Sequence, residues 1–192
     1  MIEDIIKEIA DKYPDEDIEA WKRLLKELEA SGRYGALSEG IRYMLNRDTP
    51  LVELTALKIL NRPHVEKNEK ILAILLLGKV ILYEFYTTML NAIGPEDASY
   101  VLIAVKKFSK FLDMLLSLPD RFKDIVKRVA NDTIMLLDIA ADTAYKTYHL
   151  FTVAITILKV AIKAARLAGR KNQADGFEES IKEIQSIIDK NY

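Results

Sequence analysis

Apolar residues recur along this chain at intervals of three and four, the spacing of one face of an α-helix. The first such group is Ile2, Ile5, Ile6 and Ile9. Tyr13-Pro14 should end that helix, because a residue before proline avoids the helical region. Asp15 or Asp17 can cap the next helix, and Gly32 is placed to end it in a left-handed conformation. The core face predicted between them consists of Ile18, Trp21, Leu24, Leu25 and Leu28.

Further helices are predicted between short breaks. A third helix is predicted whose core-facing residues are Leu37, Ile41, Met44 and Leu45. Pro50 suits the first turn of a fourth helix, and Gly94-Pro95 is the clearest stop in the chain. From about Pro63 to Ile93 the only internal breaker is Gly78. The helix expected next, over 96–118, has an apolar face formed by Val101, Val105, Phe108, Leu112 and Leu115.

Residues 120–168 contain neither glycine nor proline. One helix over this stretch would be about 74 Å long, so we expect an interruption at Asn131–Thr133, where side chains compete for backbone hydrogen bonds. No strand-like alternation stands out. The sequence therefore predicts an all-α fold, a multi-helix bundle of about seven or eight helices with two or three long, mostly buried ones. A short-helix subdomain, 1–62, would precede a long-helix bundle, 63–192.

A continuous polar seam with a period near 3.5 is predicted along the C-terminal half of that stretch. Its members are Asp138, Asp142, Tyr145, His149, Thr152, Thr156, Lys159, Lys163, Arg166 and Arg170. The basic end of the seam is a candidate contact for an anion or a partner, formed by Lys159, Lys163, Arg166, Arg170 and Lys171. The alternative is local pairing, since a returning final helix would bring Glu178, Glu179 and Glu183 near the same cations.

The amino-acid composition excludes some classes of chemistry for this chain. The chain has 192 residues, a net charge of −1 and no cysteine, which excludes disulfides and thiolate chemistry. Scarce glutamine beside plentiful Lys, Arg and Glu resembles heat-adapted proteins, and a cytoplasmic location is the expectation. Residues 71–90 are long enough to cross a membrane. Lys79 and Glu84 lie near the middle of that segment, so we predict a buried helix and no membrane partner.

Motifs of catalysis are missing from the sequence. It contains no GxSxG, no phosphate-binding glycine loop and no HExxH. The two histidines, His64 and His149, belong to no ligand motif. We therefore predict a non-enzymatic protein without catalytic residues, cofactor or metal. The alternative is an enzyme whose pocket gathers Asp138, Asp142, Tyr145 and His149.

Residues 13–45 resemble the helix pair of ribbon–helix–helix repressors and antitoxins. The resemblance rests on YPDED, on the Gly32-Arg33-Tyr34 turn and on the start of a second helix at Ser38-Glu39. It implies a dimer that reads the DNA major groove with a β-ribbon, with a phosphate held near Ser38. The residues before Pro14, however, continue a helical pattern. A second, shorter resemblance is to a tetratricopeptide repeat, at three positions: Trp21, Leu24 and Gly32.

The distribution of apolar residues predicts self-association. Helices 64–93 and 133–168 are too apolar for one polar-coated bundle of this size to cover, so a second copy of the chain is the expected partner. The predicted role is a helical protein–protein interaction or scaffold protein. The alternatives are a nucleic-acid-associated regulator that uses the basic ridge (Lys159–Lys171) or residues 13–45, and a tetratricopeptide-like peptide-binding module.

Overall fold

The structure is a computed structural model that describes residues 1–15, 17–92 and 94–191. It is 85% helical, and the described residues form nine α-helices and no strand. The all-α prediction is therefore confirmed, and the helix count is close to the predicted seven or eight. The helices are α1 (Ile2–Lys12), α2 (Ile18–Ser31), α3 (Gly35–Leu45), α4 (Thr49–Leu60), α5 (Lys67–Asn91), α6 (Ala98–Leu116), α7 (Lys123–Asp142), α8 (Phe151–Leu167) and α9 (Lys171–Lys190).

The chain divides into two compact units. The first comprises residues 1–82 and 118–125, and the second comprises residues 83–117 and 126–192. Helix α5 contributes to both, because no residue within Lys67–Asn91 interrupts it. The division of the chain into subdomains 1–62 and 63–192 stays a prediction.

The ends of the first helices follow their local sequence. The Asp17 side chain caps α2 by accepting a hydrogen bond from the Ala20 amide at 3.1 Å. That bond, together with the Lys12 ammonium, lowers the pKa of Asp17. Gly32 ends α2 with φ of 66°, a left-handed conformation that glycine adopts without steric cost. Both predicted signals are confirmed.

The centre of the first unit is the N-terminal part of α5. Seven consecutive residues, 71–77, are buried, and the Tyr13 hydroxyl donates a 2.9 Å hydrogen bond to the Leu75 carbonyl. Burial raises the pKa of Tyr13. Among the described residues, α5 alone is long and apolar enough to cross a membrane, and 67% of its apolar window is buried inside the protein. This burial is consistent with the predicted core helix, whose expected last residue, Ile93, lies outside the described residues.

Helices α3 and α4 pack closely in the first unit. A Cβ atom at Gly40 would lie 2.8 Å from Cδ2 of Leu76 and 3.3 Å from Cγ2 of Thr55. Leu76 is fully buried, so its side chain has little room to move away. Glycine at this position therefore permits a close helix approach.

The second unit contains the predicted apolar face of α6. All five of its residues are buried: Val101, Val105, Phe108, Leu112 and Leu115. Phe108 stacks on Phe85 of α5 with ring centroids 4.7 Å apart. The ion pair between Glu84 and Lys107, at 3.2 Å, joins the same two helices. Glu84, one of the two charged residues that break the apolar pattern of α5, is thus paired with a cation.

The interruption predicted at Asn131–Thr133 is wrong. Helix α7 runs through these residues, and the Thr133 hydroxyl bonds to the carbonyls of Val129 and Ala130 within the helix. The break occurs instead at 143–150. There, residues Thr143–Thr147 form a single π-helical turn, hereafter the π-turn, and His149 adopts φ of 56° before α8 begins.

The break also corrects the continuous polar seam. Its acidic part, Asp138 and Asp142, belongs to α7, whereas Lys159, Lys163 and Arg166 belong to α8 and Arg170 lies beyond the end of α8. A π-turn adds a residue to the helical repeat, and the left-handed residue His149 then redirects the chain. The 3.5-residue spacing therefore does not correspond to one helix face.

We predict opposite effects for two glycine-to-alanine substitutions. Gly40→Ala should lower the free energy of unfolding by about 1–3 kcal/mol, because the added methyl group overpacks the site. Gly176→Ala should raise it by about 0.5–1 kcal/mol, since Gly176 lies inside α9 with no atom near its missing Cβ. Urea denaturation measures both. Equal effects of the two variants would contradict the close approach at Gly40.

Candidate functional site

The break at 143–150 lies beside an apolar cavity in the second unit. The cavity has a volume of about 130 Å³ and is lined from the end of α5, the start of α6, the end of α7, the π-turn and the start of α8. Small residues form much of its wall: Ala92, Gly94, Ala98, Ala140 and Ala144. Larger apolar residues complete it: Met89, Val101, Leu136, Ile139, Leu150, Val153 and Ile157.

The backbone of the break shapes this cavity. The Tyr148 amide donates to the Thr143 carbonyl at 3.2 Å, one residue wider than an α-helical bond, and the Leu150 amide donates to the Ala144 carbonyl at 2.8 Å. These bonds satisfy the backbone while widening the turn. Thr143 and Tyr148 supply the hydroxyl groups of the lining. A mostly apolar cavity with few polar groups is the usual form of a small-molecule site.

Three exposed apolar residues line the cavity or lie close in sequence to its lining residues. Ile139 lines the cavity and is also 56% exposed, and Met135, one turn earlier on α7, is 67% exposed. On α5, Leu90 is 70% exposed and adjoins the lining residue Met89. The two helices are neighbours here, because Met89 of α5 and Ile139 of α7 line the same cavity. We call Leu90, Met135 and Ile139 the apolar rim.

The acidic residues predicted to form a pocket lie in a second, polar cleft. It gathers Asp138, Asp142 and Tyr145 with Glu183 of α9, whereas His149 is not among its lining residues. The Tyr145 hydroxyl donates to Glu183 at 3.2 Å. Partial desolvation and this bond raise the pKa of Tyr145.

The polar cleft holds three carboxylates and one ammonium group, those of Asp138, Asp142, Glu183 and Lys146. Asp142 pairs with Lys146 at 2.7 Å, and this bond raises the pKa of Lys146. The described residues contain no group of three or more His, Asp or Glu side chains arranged to hold a metal ion. His64 and His149 are both exposed.

The basic ridge, Lys159 to Lys171, is mostly engaged in intramolecular bonds. Lys163 lies 2.6 Å from Asp113 and also bonds to Ser109, while Arg170 donates to the Asn131 side chain at 2.6 Å. Arg166 pairs with Glu178, one of the three glutamates expected to return to the ridge. The other two have different partners: Glu179 pairs with Lys182, and Glu183 accepts from Tyr145. Among the described residues of the ridge, Lys159 and Lys171 are exposed and make no such bond.

The segment resembling ribbon–helix–helix proteins has no strand before it. Helix α1 continues to Lys12, directly before Tyr13-Pro14. Helix α3 begins at Gly35, so Ser38 lies within the helix, is 4% exposed, and donates its amide to the Tyr34 carbonyl at 2.9 Å. The amide expected to hold a phosphate is therefore already used inside the protein.

The left-handed residue of the break gives a testable prediction. His149→Gly should be more stable than His149→Ala by about 1 kcal/mol, because alanine is strained at φ near 56° and glycine is not. Both variants lack the imidazole, so the difference between their stabilities reports the backbone strain at residue 149. The control pair is Thr152→Gly and Thr152→Ala in α8, where the order should reverse. Chemical denaturation measures the stability of all four variants. If alanine is more stable than glycine at position 149, as expected at position 152, the left-handed conformation of His149 is contradicted.

Comparisons with known proteins identify no relative. No family model matches the chain, and neither the curated proteins nor the solved structures contain a match. The functional inference therefore rests on the cavity, the apolar rim, the polar cleft and the basic ridge of this chain itself.

Proposed function

We propose that this chain is a non-enzymatic helical interaction protein that associates with a second copy of itself through the apolar rim. The observation that carries the proposal is the concentration of exposed apolar side chains in the second unit. Of the eleven large apolar residues exposed among the described residues, seven lie there: Tyr83, Leu90, Tyr100, Ile103, Leu116, Met135 and Ile139.

The spacing of these residues indicates that several of them share a helix face and are not scattered singly over the surface. Met135 and Ile139 are four apart on α7, Tyr83 and Leu90 are seven apart on α5, and Tyr100 and Ile103 are three apart on α6. Each interval places its two members on one helix face. Single exposed apolar residues are ordinary on soluble proteins, whereas paired ones on neighbouring helices are typical of surfaces covered by a partner.

A second copy is the occupant that fits the charge of the chain. The net charge is −1, so two copies approach with little long-range repulsion. A twofold dimer also places the same apolar surface on both sides of the interface, which makes an apolar rim complementary to itself. The proposal includes the predicted multi-helix bundle, in which short helices α1 to α4 precede long, mostly buried ones, and the predicted cytoplasmic location.

Nucleic-acid binding by the basic ridge has weaker support. Lys163, Arg166 and Arg170 already bind oxygen atoms of the protein, so contact with phosphate would require breaking those bonds. An enzyme in the polar cleft has weaker support because Asp142 and Glu183 are bonded to neighbouring side chains. The tetratricopeptide-like alternative rests on three sequence positions, and no second copy of that unit follows.

The experiment is light scattering after size-exclusion chromatography at micromolar concentration. The unsubstituted chain should be an oligomer. Met135→Glu should raise its dissociation constant on the order of a hundredfold, about 2.7 kcal/mol, because association would bury an unpaired carboxylate. The matched control is Leu54→Glu, which places the same charge on an exposed leucine of the first unit.

Three results would contradict this proposal. One is a monomeric unsubstituted chain, another is an oligomer unaffected by Met135→Glu, and the third is dissociation by Leu54→Glu to the same extent. Circular dichroism of each variant establishes that a change in mass does not follow from unfolding. A gel shift with duplex DNA that weakens steeply as salt rises would favour the basic ridge instead.

A further inference from the structure

We propose that the cavity beside the π-turn is a binding site for an uncharged, single-ring aromatic molecule that carries at most one small polar substituent. This inference goes beyond self-association and does not depend on it. The site lies within the second unit, and none of the chemistry predicted from the sequence uses it.

The size of the cavity sets the size of the ligand. Its volume of about 130 Å³ is close to the ~150 Å³ of an apolar protein cavity known to bind benzene. A single ring fits such a volume, whereas a fused multi-ring compound or a long acyl chain does not. The small side chains of Ala140 and Ala144 leave this space open on the side of α7 and the π-turn.

The lining determines the polarity of the ligand. None of the described residues that line the cavity carries a charge, so an ionised ligand would lose its hydration without gaining a counter-ion. Thr143 and Tyr148 are the lining residues that carry a side-chain hydroxyl group. The Thr143 hydroxyl suits a neutral hydroxyl or carbonyl substituent, which distinguishes a phenol-like ligand from a carboxylate of the same shape.

The irregular backbone beside the cavity supports the proposal that the cavity binds a ligand. A π-turn and a left-handed non-glycine residue, His149, are both less stable than a regular helix. Such segments cluster at ligand sites, where the binding of a ligand offsets their cost. Access is also available, because Ile139 of the lining is partly exposed to solvent.

The test measures binding of toluene, phenol and benzoate to the full chain by the chemical shifts of its methyl groups. Toluene and phenol should shift the methyl resonances of Ala144, Val153 and Ile157 and saturate with dissociation constants on the order of millimolar or lower. Benzoate has nearly the same shape as these probes but a negative charge. It should leave those resonances unshifted at the same concentration.

Cavity-filling variants show where the probes bind. Ala140→Leu should weaken toluene binding at least about tenfold, or 1.4 kcal/mol, because its larger side chain occupies the space of the ring. Val153→Phe fills the same cavity from α8 and serves if Ala140→Leu does not fold. The matched control, Ala30→Leu, adds the same atoms at an exposed position of α2 in the first unit and should bind toluene like the unsubstituted chain.

Toluene that fails to saturate the unsubstituted chain overturns the site, as does benzoate binding as tightly as phenol. Unchanged toluene affinity in the folded cavity-filling variant also overturns it. Light scattering of the same samples separates this result from the proposed self-association. A monomer that binds toluene contradicts only self-association, and an oligomer that does not bind it contradicts only the ligand site.

Discussion

The rest of this structure depends on one constraint, the burial of residues 71–77 of α5 on every side of the helix. Successive residues of an α-helix point about 100° apart, so seven consecutive buried residues, 71–77, occupy every side of the helix. Such a segment is stable only when other helices surround it. Tyr13, bonded to the Leu75 carbonyl, and Gly40, close to Leu76, supply two of those contacts.

The same helix is covered differently toward its C-terminal end. Phe85 is buried against Phe108, but Tyr83 and Leu90 are exposed. An apolar helix whose cover is complete at one end and incomplete at the other leaves an apolar face without a neighbour. Leu90, the residue of the apolar rim that belongs to α5, lies in this incompletely covered part, next to Met89 of the cavity lining.

The sequence predicted those elements whose signals are local. Gly32, Pro50 and Gly94-Pro95 act on the backbone of their own residues, so the helix ends near them could be placed in advance. The break at 143–150 could not be placed in this way. Its run of β-branched and aromatic residues disfavours a helix only weakly, and the Thr133 hydroxyl, expected to disrupt the helix, bonds within it instead.

The candidate site was harder to predict than the fold, because its residues are distant in sequence. The charged groups form clear sequence patterns, yet many of them bond to neighbouring side chains, as Arg166 does to Glu178. The cavity is lined by alanine and aliphatic residues, which give the same sequence signal as any core position. Only the packing of four helices and the π-turn distinguishes Ala140 and Ala144 from ordinary core alanines.

The cavity and the apolar rim share one residue, and this links the two proposals thermodynamically. Ile139 lines the cavity and is also part of the rim, so a second copy that covers the rim would bury the same side chain that borders the ligand. A ligand that changes the conformation of Ile139 would change the affinity for the second copy, and such a coupling is reciprocal. A ligand that fixes Ile139 in the conformation favoured by the oligomer would strengthen association, and one that displaces it would weaken association. The sign of that coupling would show whether the cavity acts as a structural support of the interface or as its regulator.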